Sequence, residues 1–314
     1  MNHDRALQSI DELLKSIVNS DVDILRDASR HILEAGGKRV RPRLTLLAYE
    51  AVGGEDLDAV LPVAAAVELV HTATLVHDDI NDHGLTRRGR PTINAQWGRT
   101  FALLTGDYLF TKVYELMAPF KDLNIVFAEA TVALVEGETL QAAAAKSGQL
   151  DRETYTRIIA KKTASLFAAA AKLGAMLANA AAEQISALEQ YGFNLGLAFQ
   201  IVDDILDLIA DSQQLGKTAG LDVVQGKGFV TAVAGHAATS GNGKASATAV
   251  LEPAPADPMA AFKQKMLSGN YIQEGRQNAQ QLAALAAMSL SAFPPSPALD
   301  ELHALARQVV ERDH

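Results

Sequence analysis

Two stretches of the chain end in the same way. PVAAAVELVHTATLVHDDIND, Pro62 to Asp82, and LGLAFQIVDDILD, ending at Asp207, are largely apolar and close on three aspartates with one spacing. These are Asp78, Asp79 and Asp82 in the first and Asp203, Asp204 and Asp207 in the second. On a helix turning about 100° per residue, each trio lies at about 0°, 100° and 40°, so its carboxylates share one side. Like charges that close repel, and a helix C-terminus favours cations, so positive charge must compensate. One such cluster reads as a solvated helix end, but two of identical spacing on otherwise apolar helices do not. Oxygen-only ligands point to a hard cation, and Mg2+ prefers carboxylates shared with phosphate oxygens and water. The pair predicts a magnesium-phosphate site.

Composition supports helices. Residues that favour sheet are few and alanine is abundant. At 314 residues and 48% hydrophobic, the chain can fill a sizeable core. The absence of cysteine excludes disulfides, thiolate nucleophiles, thiolate zinc sites and cysteine-held iron-sulfur clusters. A formal net charge of -9 argues against nucleic acid as a partner, while permitting a local basic pocket. The opening MNHDRALQSIDELLKSIVNS has no apolar run of the secretory kind, so a cytoplasmic protein is expected. TASLFAAAAKLGAMLANAAA, Thr163 to Ala182, comes nearest to a membrane span. It carries Lys172 and is mostly alanine, so a buried helix is expected and no span.

The breakers divide the chain into helices. Gly36-Gly37 ends a first helical region, and Pro42 suits the first turn of the next. One long helix is expected from Pro62 to Asp82, followed by a loop-rich connection over residues 84–98. Further helices are expected at Arg99–Met117, Ile125–Ala145, Arg152–Ala182 and Ala187–Asp211, with a proline-started helix in FPPSPALDELHALARQVVERD. SGNGKASATAVLEPAPADP, residues 240–258, reads as a flexible surface insertion within a single domain spanning 1–314.

Two basic clusters supply the counter-charge. GGKRVRP carries Lys38, Arg39 and Arg41 beside a glycine pair, and RRGRP carries Arg87, Arg88 and Arg90 just after the first trio. Arginine grips phosphate oxygens bidentately, and lysine serves as a mobile point charge. No GxxxxGK[ST] occurs, nor a GxGxxG between strand and helix, which disfavours a P-loop or a Rossmann site. Lys217 and Lys227 are further phosphate partners. His71, two turns before Asp78, suits either the same cavity or a satisfied helical role. Lys162, Thr163 and Gln200 offer donors on core-facing helices, and Phe193 and Phe199 read most simply as core residues.

With these motifs in order, the sequence resembles the trans-type isoprenyl diphosphate synthases, the polyprenyl synthetase family. GGKRVRP, HTATLVHDDIND, RRGRPTINAQWG, LLTGDYLF, KKTASLF and GLAFQIVDDILD follow the family's order over residues 36–222. The resemblance implies an all-α isoprenoid synthase bundle around a deep central cavity, usually a homodimer. It implies an Mg2+-dependent prenyltransferase that condenses an allylic diphosphate with isopentenyl diphosphate head-to-tail, making a prenyl diphosphate of C20 or longer. By matching motif, Asp78, Asp79, Asp82, Asp203, Asp204 and Asp207 hold three Mg2+ ions on the allylic diphosphate, with Arg87 touching that diphosphate. Lys38, Arg41, His71 and Arg88 match the isopentenyl diphosphate positions. Lys162, Thr163, Gln200, Lys217 and Lys227 match groups that line the allylic diphosphate and steady the developing carbocation.

Chain length is set, in such enzymes, on the helix above the first trio. The fifth and fourth residues before Asp78 are the small Ala73 and Thr74, which argues against a short product, although Leu103, Leu104 or Tyr108 could close the cavity deeper down. After the second trio the chain departs from the family's usual GKxxGxDxxxGxxTLP. Lys217, Gly220, Asp222 and Gly226 match, but Thr231-Ala232-Val233 replaces TLP, which unsettles the placement of Lys227. The competing classes are a non-catalytic or regulatory subunit of a two-component synthase, a terpene cyclase, and a structural helical module. Both complete trios argue against the first, and the second phosphate set argues against the cyclase. A hydrophobic product allows peripheral contact with a membrane.

Overall fold

The computed structural model describes residues 3–209, 227–229, 231–233 and 270–312. Apart from one two-stranded hairpin, its regular elements are helices. In chain order these are α1 (His3–Ile17), α2 (Asp23–Glu34), α3 (Val40–Ala51), α4 (Leu57–Asn81), β1 (Thr86–Arg87), β2 (Arg90–Pro91), α5 (Ile93–Trp97) and α6 (Arg99–Met117). There follow α7 (Leu123–Ser147), α8 (Arg152–Ile159), a π-helical turn (Ala160–Ala164), α9 (Ser165–Leu177), α10 (Ala182–Ile209), α11 (Tyr271–Ser289) and α12 (Pro297–Val310). Lys217 and the expected insertion at 240–258 lie outside the described residues.

Burial explains the layout. α1 buries Ala6, Ile10 and Leu14, one stripe at helical spacing, against α3 and α4. α4 is buried on most sides, from Val60 through Val70 and Ala73, and packs against α1, α3, α6 and α9. It is long and apolar enough to cross a membrane, but 72% of its most apolar stretch is buried inside the protein, as befits a core helix. α10 lies against α9 and α11, and α12 closes over α3, α10 and α11. The Tyr191 hydroxyl on α10 donates to the Leu302 carbonyl at 2.7 Å, fixing that last contact. As expected from the sequence, Pro297 opens α12, behind a Ser296 cap that accepts from Leu299 N–H.

Three boundaries differ from the sequence expectation. α4 begins at Leu57 rather than Pro62, because the Asp56 side chain caps it by accepting from Asp58 N–H and Pro62 is accommodated one turn further in. The expected helix Arg152–Ala182 is broken twice, by the π-turn and by a stop after Leu177. At that stop Asn179 takes a left-handed φ of 55°, and Ala180 N–H returns to the Ala175 carbonyl, a Schellman-type closure. α10 consequently starts at Ala182, ahead of the expected Ala187.

The π-turn is gripped by two glycines. A Cβ on Gly137 of α7 would lie 2.4 Å from Lys162 N, and one on Gly196 of α10 would lie 2.7 Å from Ala164 Cα. Only a hydrogen at these positions lets three elements meet around Lys162 and Thr163. Gly196→Ala is expected to destabilise the protein by about 2 kcal/mol despite the helix propensity of alanine. The check is a denaturant titration, in which the midpoint falls while the slope stays unchanged.

Candidate active site

The C-terminal ends of α4 and α10 open onto one cavity of about 600 Å³. Its lining includes Asp78 and Asp82 from the first trio and Asp203, Asp204 and Asp207 from the second. Asp79, about 100° round the helix from Asp78, is 4% exposed and turns instead toward the hairpin. There Arg87 Nε lies 2.9 and 3.0 Å from its two oxygens, and an Arg87 Nη lies 2.8 Å from Oδ1. Burial works against the Arg87 charge, yet the hydrogen bonds and field of Asp79 outweigh it and hold the guanidinium above its ordinary pKa. The hairpin turn explains the RRGR sequence. Arg88 and Gly89 both have positive φ, 51° and 74°, the backbone of a type I′ turn.

Asp78, Asp82, Asp203 and Asp204 each meet a partner from another element. Lys162 Nζ lies 3.5 Å from Asp78 Oδ2, 2.7 Å from Glu138 Oε1 and 2.8 Å from Gln141 Oε1. Burial opposes the Lys162 charge, but Asp78 and Glu138 raise its pKa beyond the ordinary lysine value. Burial and the nearby Asp78 push Glu138 up to about 7. Lys227 pairs with Asp82, and Arg312 Nη lies 3.1 Å from Asp203 Oδ1. Asp204 accepts from the Tyr155 hydroxyl at 2.7 Å, from Gln200 Nε2 at 2.8 Å and from Phe229 N–H at 2.9 Å. Thr163 donates to Gln200 Oε1 at 2.7 Å, extending that network to the π-turn.

A cationic wall stands beside these groups. Lys38, Arg41, His71 and Arg88 all line the cavity. The Arg41 guanidinium lies 4.5 Å from the Phe167 ring centroid, and burial lowers its pKa to about 10. A Cβ on Gly37 would sit 2.9 Å from Arg88 Nη1, so the glycine pair admits that guanidinium. Arg39 is committed elsewhere, bonding Asp11 and the buried Glu68. The lining also carries the apolar side chains of Leu75, Leu134, Ile158 and Leu166.

Several sequence expectations change here. Phe193 packs against the core, but Phe199 also lines the cavity, with Arg312 stacked 4.2 Å from its ring centroid. Thr74 lines the cavity with its hydroxyl bound to the His71 carbonyl, whereas Ala73 is fully buried in the core. Leu103 and Leu104 are about half exposed on α6, and Tyr108 donates to the Asn19 carbonyl, so none of the three lines this cavity. Sequence reasoning missed Glu138, Gln141, Tyr155 and Arg312. A spacing signal existed for two of them, since Gln141 follows Glu138 by three residues on one helix face.

Among the described residues, no three His, Cys, Asp or Glu side chains converge into a ready-made metal cage. Magnesium does not require one, because it keeps water and takes one or two carboxylates together with phosphate oxygens. The donor set is all oxygen and faces a cationic wall, which fits a metal-diphosphate ligand.

Comparison with known proteins decides what this cavity belongs to. Residues 22–264 match the polyprenyl synthetase family. The chain belongs to that family. It is 36% identical over 299 residues to octaprenyl diphosphate synthase of Escherichia coli strain K12, covering 94% of this chain and 92% of that one. It is 37% identical over 310 residues to heptaprenyl diphosphate synthase component 2 of Geobacillus stearothermophilus, covering 98% and 96%. A polyprenyl synthase of Caulobacter crescentus CB15, solved with calcium and isoprenyl diphosphate, superposes with a TM-score of 0.89 at 34% identity, covering 99% and 96%. This polyprenyl synthetase is therefore a trans-prenyltransferase of isoprenoid biosynthesis. It condenses an allylic diphosphate with isopentenyl diphosphate.

His71 gives a pH test of the cationic wall. Burial and then Arg41, Arg88, Arg87 and Arg39 hold its pKa well below the ordinary histidine value of 6.5, so the ring is neutral when folded. The unfolded chain takes up a proton that the folded protein refuses, so this group lowers stability as pH falls through about 6.5. His71→Asn is expected to flatten the loss of denaturant midpoint between about pH 6.5 and 5. A wild-type imidazole resonance that titrates near 6.5 would contradict the assignment.

Proposed function

We propose that the two poles of the cavity bind the two diphosphates. Asp78, Asp79, Asp82, Asp203, Asp204 and Asp207 form the acidic pole, serving three Mg2+ ions with the allylic diphosphate. Bound there, the metal would neutralise charge that builds on the departing diphosphate. Arg87, Lys162, Lys217 and Lys227 add cationic contacts to the same group, while Thr163 and Gln200 orient it. Lys38, Arg41, His71 and Arg88 take the diphosphate of isopentenyl diphosphate. The allylic carbon-oxygen bond breaks with its electron pair leaving on diphosphate. The isopentenyl double bond then attacks the cation, a carbon-carbon bond forms, and the proton lost from C2 passes to the released diphosphate.

The observation that carries this reading is the convergence on one cavity of about 600 Å³ of Asp78 and Asp82 from the first trio, all three aspartates of the second and residues of both basic motifs, with Asp79 held behind them by Arg87. Electrostatic preorganisation of that kind stabilises the leaving group, and the apolar wall excludes water that would capture the cation. The small Thr74 on α4 lines the cavity without a bulky side chain to close it, and the octaprenyl and heptaprenyl names of two relatives support a product of C20 or longer. We read the chain as a single cytoplasmic domain that forms a homodimer. The dimer is supported by apolar side chains exposed on α6 and α7, among them Phe101, Leu103, Leu104, Ile125, Val132 and Val135. The word "component" in one relative's name favours a second reading, in which activity needs a further subunit.

The test is elongation of labelled isopentenyl diphosphate by the purified chain with Mg2+ and dimethylallyl, geranyl or farnesyl diphosphate. Products of C20 or longer are expected, and Asp78→Ala should reduce the rate by about 10²-fold or more. Folded protein inactive with all three starters would move the reading to the two-subunit form.

A further inference from the structure

Residues 227–229 bridge the two acidic trios. Lys227 pairs with Asp82 at the end of α4, and Phe229 N–H donates to Asp204 on α10 at 2.9 Å. Between them Gly228 turns the chain at a φ of 84°, with both Lys227 and Gly228 on the cavity lining. The strap is held at one end by the Phe229 ring, which is 4% exposed. That ring meets Tyr155 edge-on, 5.6 Å between centroids at 68°, and fits a slot beside Ile205 and Gly275. A Cβ on Gly275 would lie 2.9 Å from Phe229 Cε1 and 2.8 Å from Ile205 Cδ1, so the slot is shaped for this ring.

Tyr155 touches the strap's anchorage twice. Its ring edge packs on Phe229, and its hydroxyl donates to Asp204 Oδ2, the same oxygen that receives Phe229 N–H. The side chain is buried and belongs to α8, which runs directly into the π-turn that carries Lys162. We propose that Tyr155 is a positioning residue for this reaction, holding the strap through Asp204 and Phe229 so that the Lys227 ammonium reaches the acidic pole where the allylic diphosphate binds. This rests on the reading of Lys227 as a contact to that diphosphate. In this arrangement Asp204 serves as the anchor shared by α8, α10 and the strap.

The geometry separates two arms. One runs Tyr155, Asp204, Phe229, Lys227 across the mouth, and the other runs Asp204, Gln200, Thr163 into the π-turn. If Tyr155 acts through the first, its removal matters only while Lys227 is present. A merely structural tyrosine would weaken both diphosphate sites alike, and one serving the second arm would act independently of Lys227.

The experiment uses the full chain with Tyr155→Phe, Phe229→Ala, Phe229→Leu, Lys227→Ala and the Tyr155→Phe/Lys227→Ala double variant. Initial rates give KM for the allylic and isopentenyl diphosphates separately, and calorimetry gives the affinity for inorganic diphosphate with Mg2+. Tyr155→Phe keeps the ring and loses only the hydroxyl, so it is expected to fold and to raise the allylic KM about 3- to 10-fold, leaving the isopentenyl KM unchanged. Phe229→Ala should do more and Phe229→Leu should restore much of the loss. In the Lys227→Ala background Tyr155→Phe should add nothing. Additive effects in that cycle, or equal rises in both KM values, would overturn the proposal. Were the wild-type chain inactive in elongation, the functional reading would fail by itself, while the diphosphate affinities of the same variants would still decide the strap.

Discussion

The site depends on pairing carboxylates with cations that arrive from elsewhere in the chain. Asp78 faces Lys162 of the π-turn, Asp79 is clamped by Arg87 of the hairpin, Asp82 meets Lys227 and Asp203 meets Arg312 beyond α12. Without such partners, two carboxylate trios at helix C-termini would repel each other and the carbonyl ends of their own helices. These pairs are buried or half-buried, so the cost of removing their charges from water offsets much of their attraction and no one of them need contribute much net stability. Their consequence is geometric, because each ties the mouth of the cavity to a different element. A metal-bound diphosphate brings both cations for the aspartates and anions for the lysines and arginines. Binding can thus exchange partners without leaving a charge stranded.

That exchange requires the cations to stand at fixed distances, which the packing provides. Lys162 sits in a π-turn whose backbone α7 and α10 approach closely through Gly137 and Gly196. Arg88 owes its position to a left-handed residue at the hairpin tip and to Gly37, whose missing side chain leaves room for the guanidinium. Arg41 stays charged in a buried place by lying on the face of Phe167 near Glu68 and Asp203. Strain and close approach accumulate where the chemistry is, as they do at functional sites generally.

Much of this was legible in the sequence, and what was not has physical reasons. The aspartate trios and the arginine clusters stand out because like charges gathered at the end of an apolar helix are costly unless something of opposite sign binds them. Tyr155 and Arg312 carry no such signal: one is an aromatic at a core-compatible helical position, the other a lone arginine near the chain end, and only tertiary contact brings them to Asp204 and Asp203. Glu138 sits in a long, largely apolar helix with no marked polar face, and its significance comes from Lys162, 24 residues on by subtraction of the two residue numbers. Helical periodicity placed α4 and α10 but could not foresee a π-turn, which departs from the 3.6-residue period and packs tightly against glycines of two other helices. The same limit applies to Ala73. Counting back from Asp78 cannot say which of two adjacent residues faces the cavity, and the helix directs Thr74 there while Ala73 enters the core.

The arrangement also constrains how a long product can grow. Charged groups gather where α4 and α10 terminate, and the same cavity is lined by the apolar Leu75, Leu134, Ile158 and Leu166. A growing prenyl tail gains by leaving water for that wall, roughly in proportion to the apolar area it covers. A diphosphate would gain by remaining among the charged groups, so the two ends of one substrate would be sorted to different parts of one lining. Each added five-carbon unit lengthens only the apolar part. The same charged mouth can therefore serve every cycle of elongation, and product length is left to the apolar wall rather than to the groups that carry the chemistry.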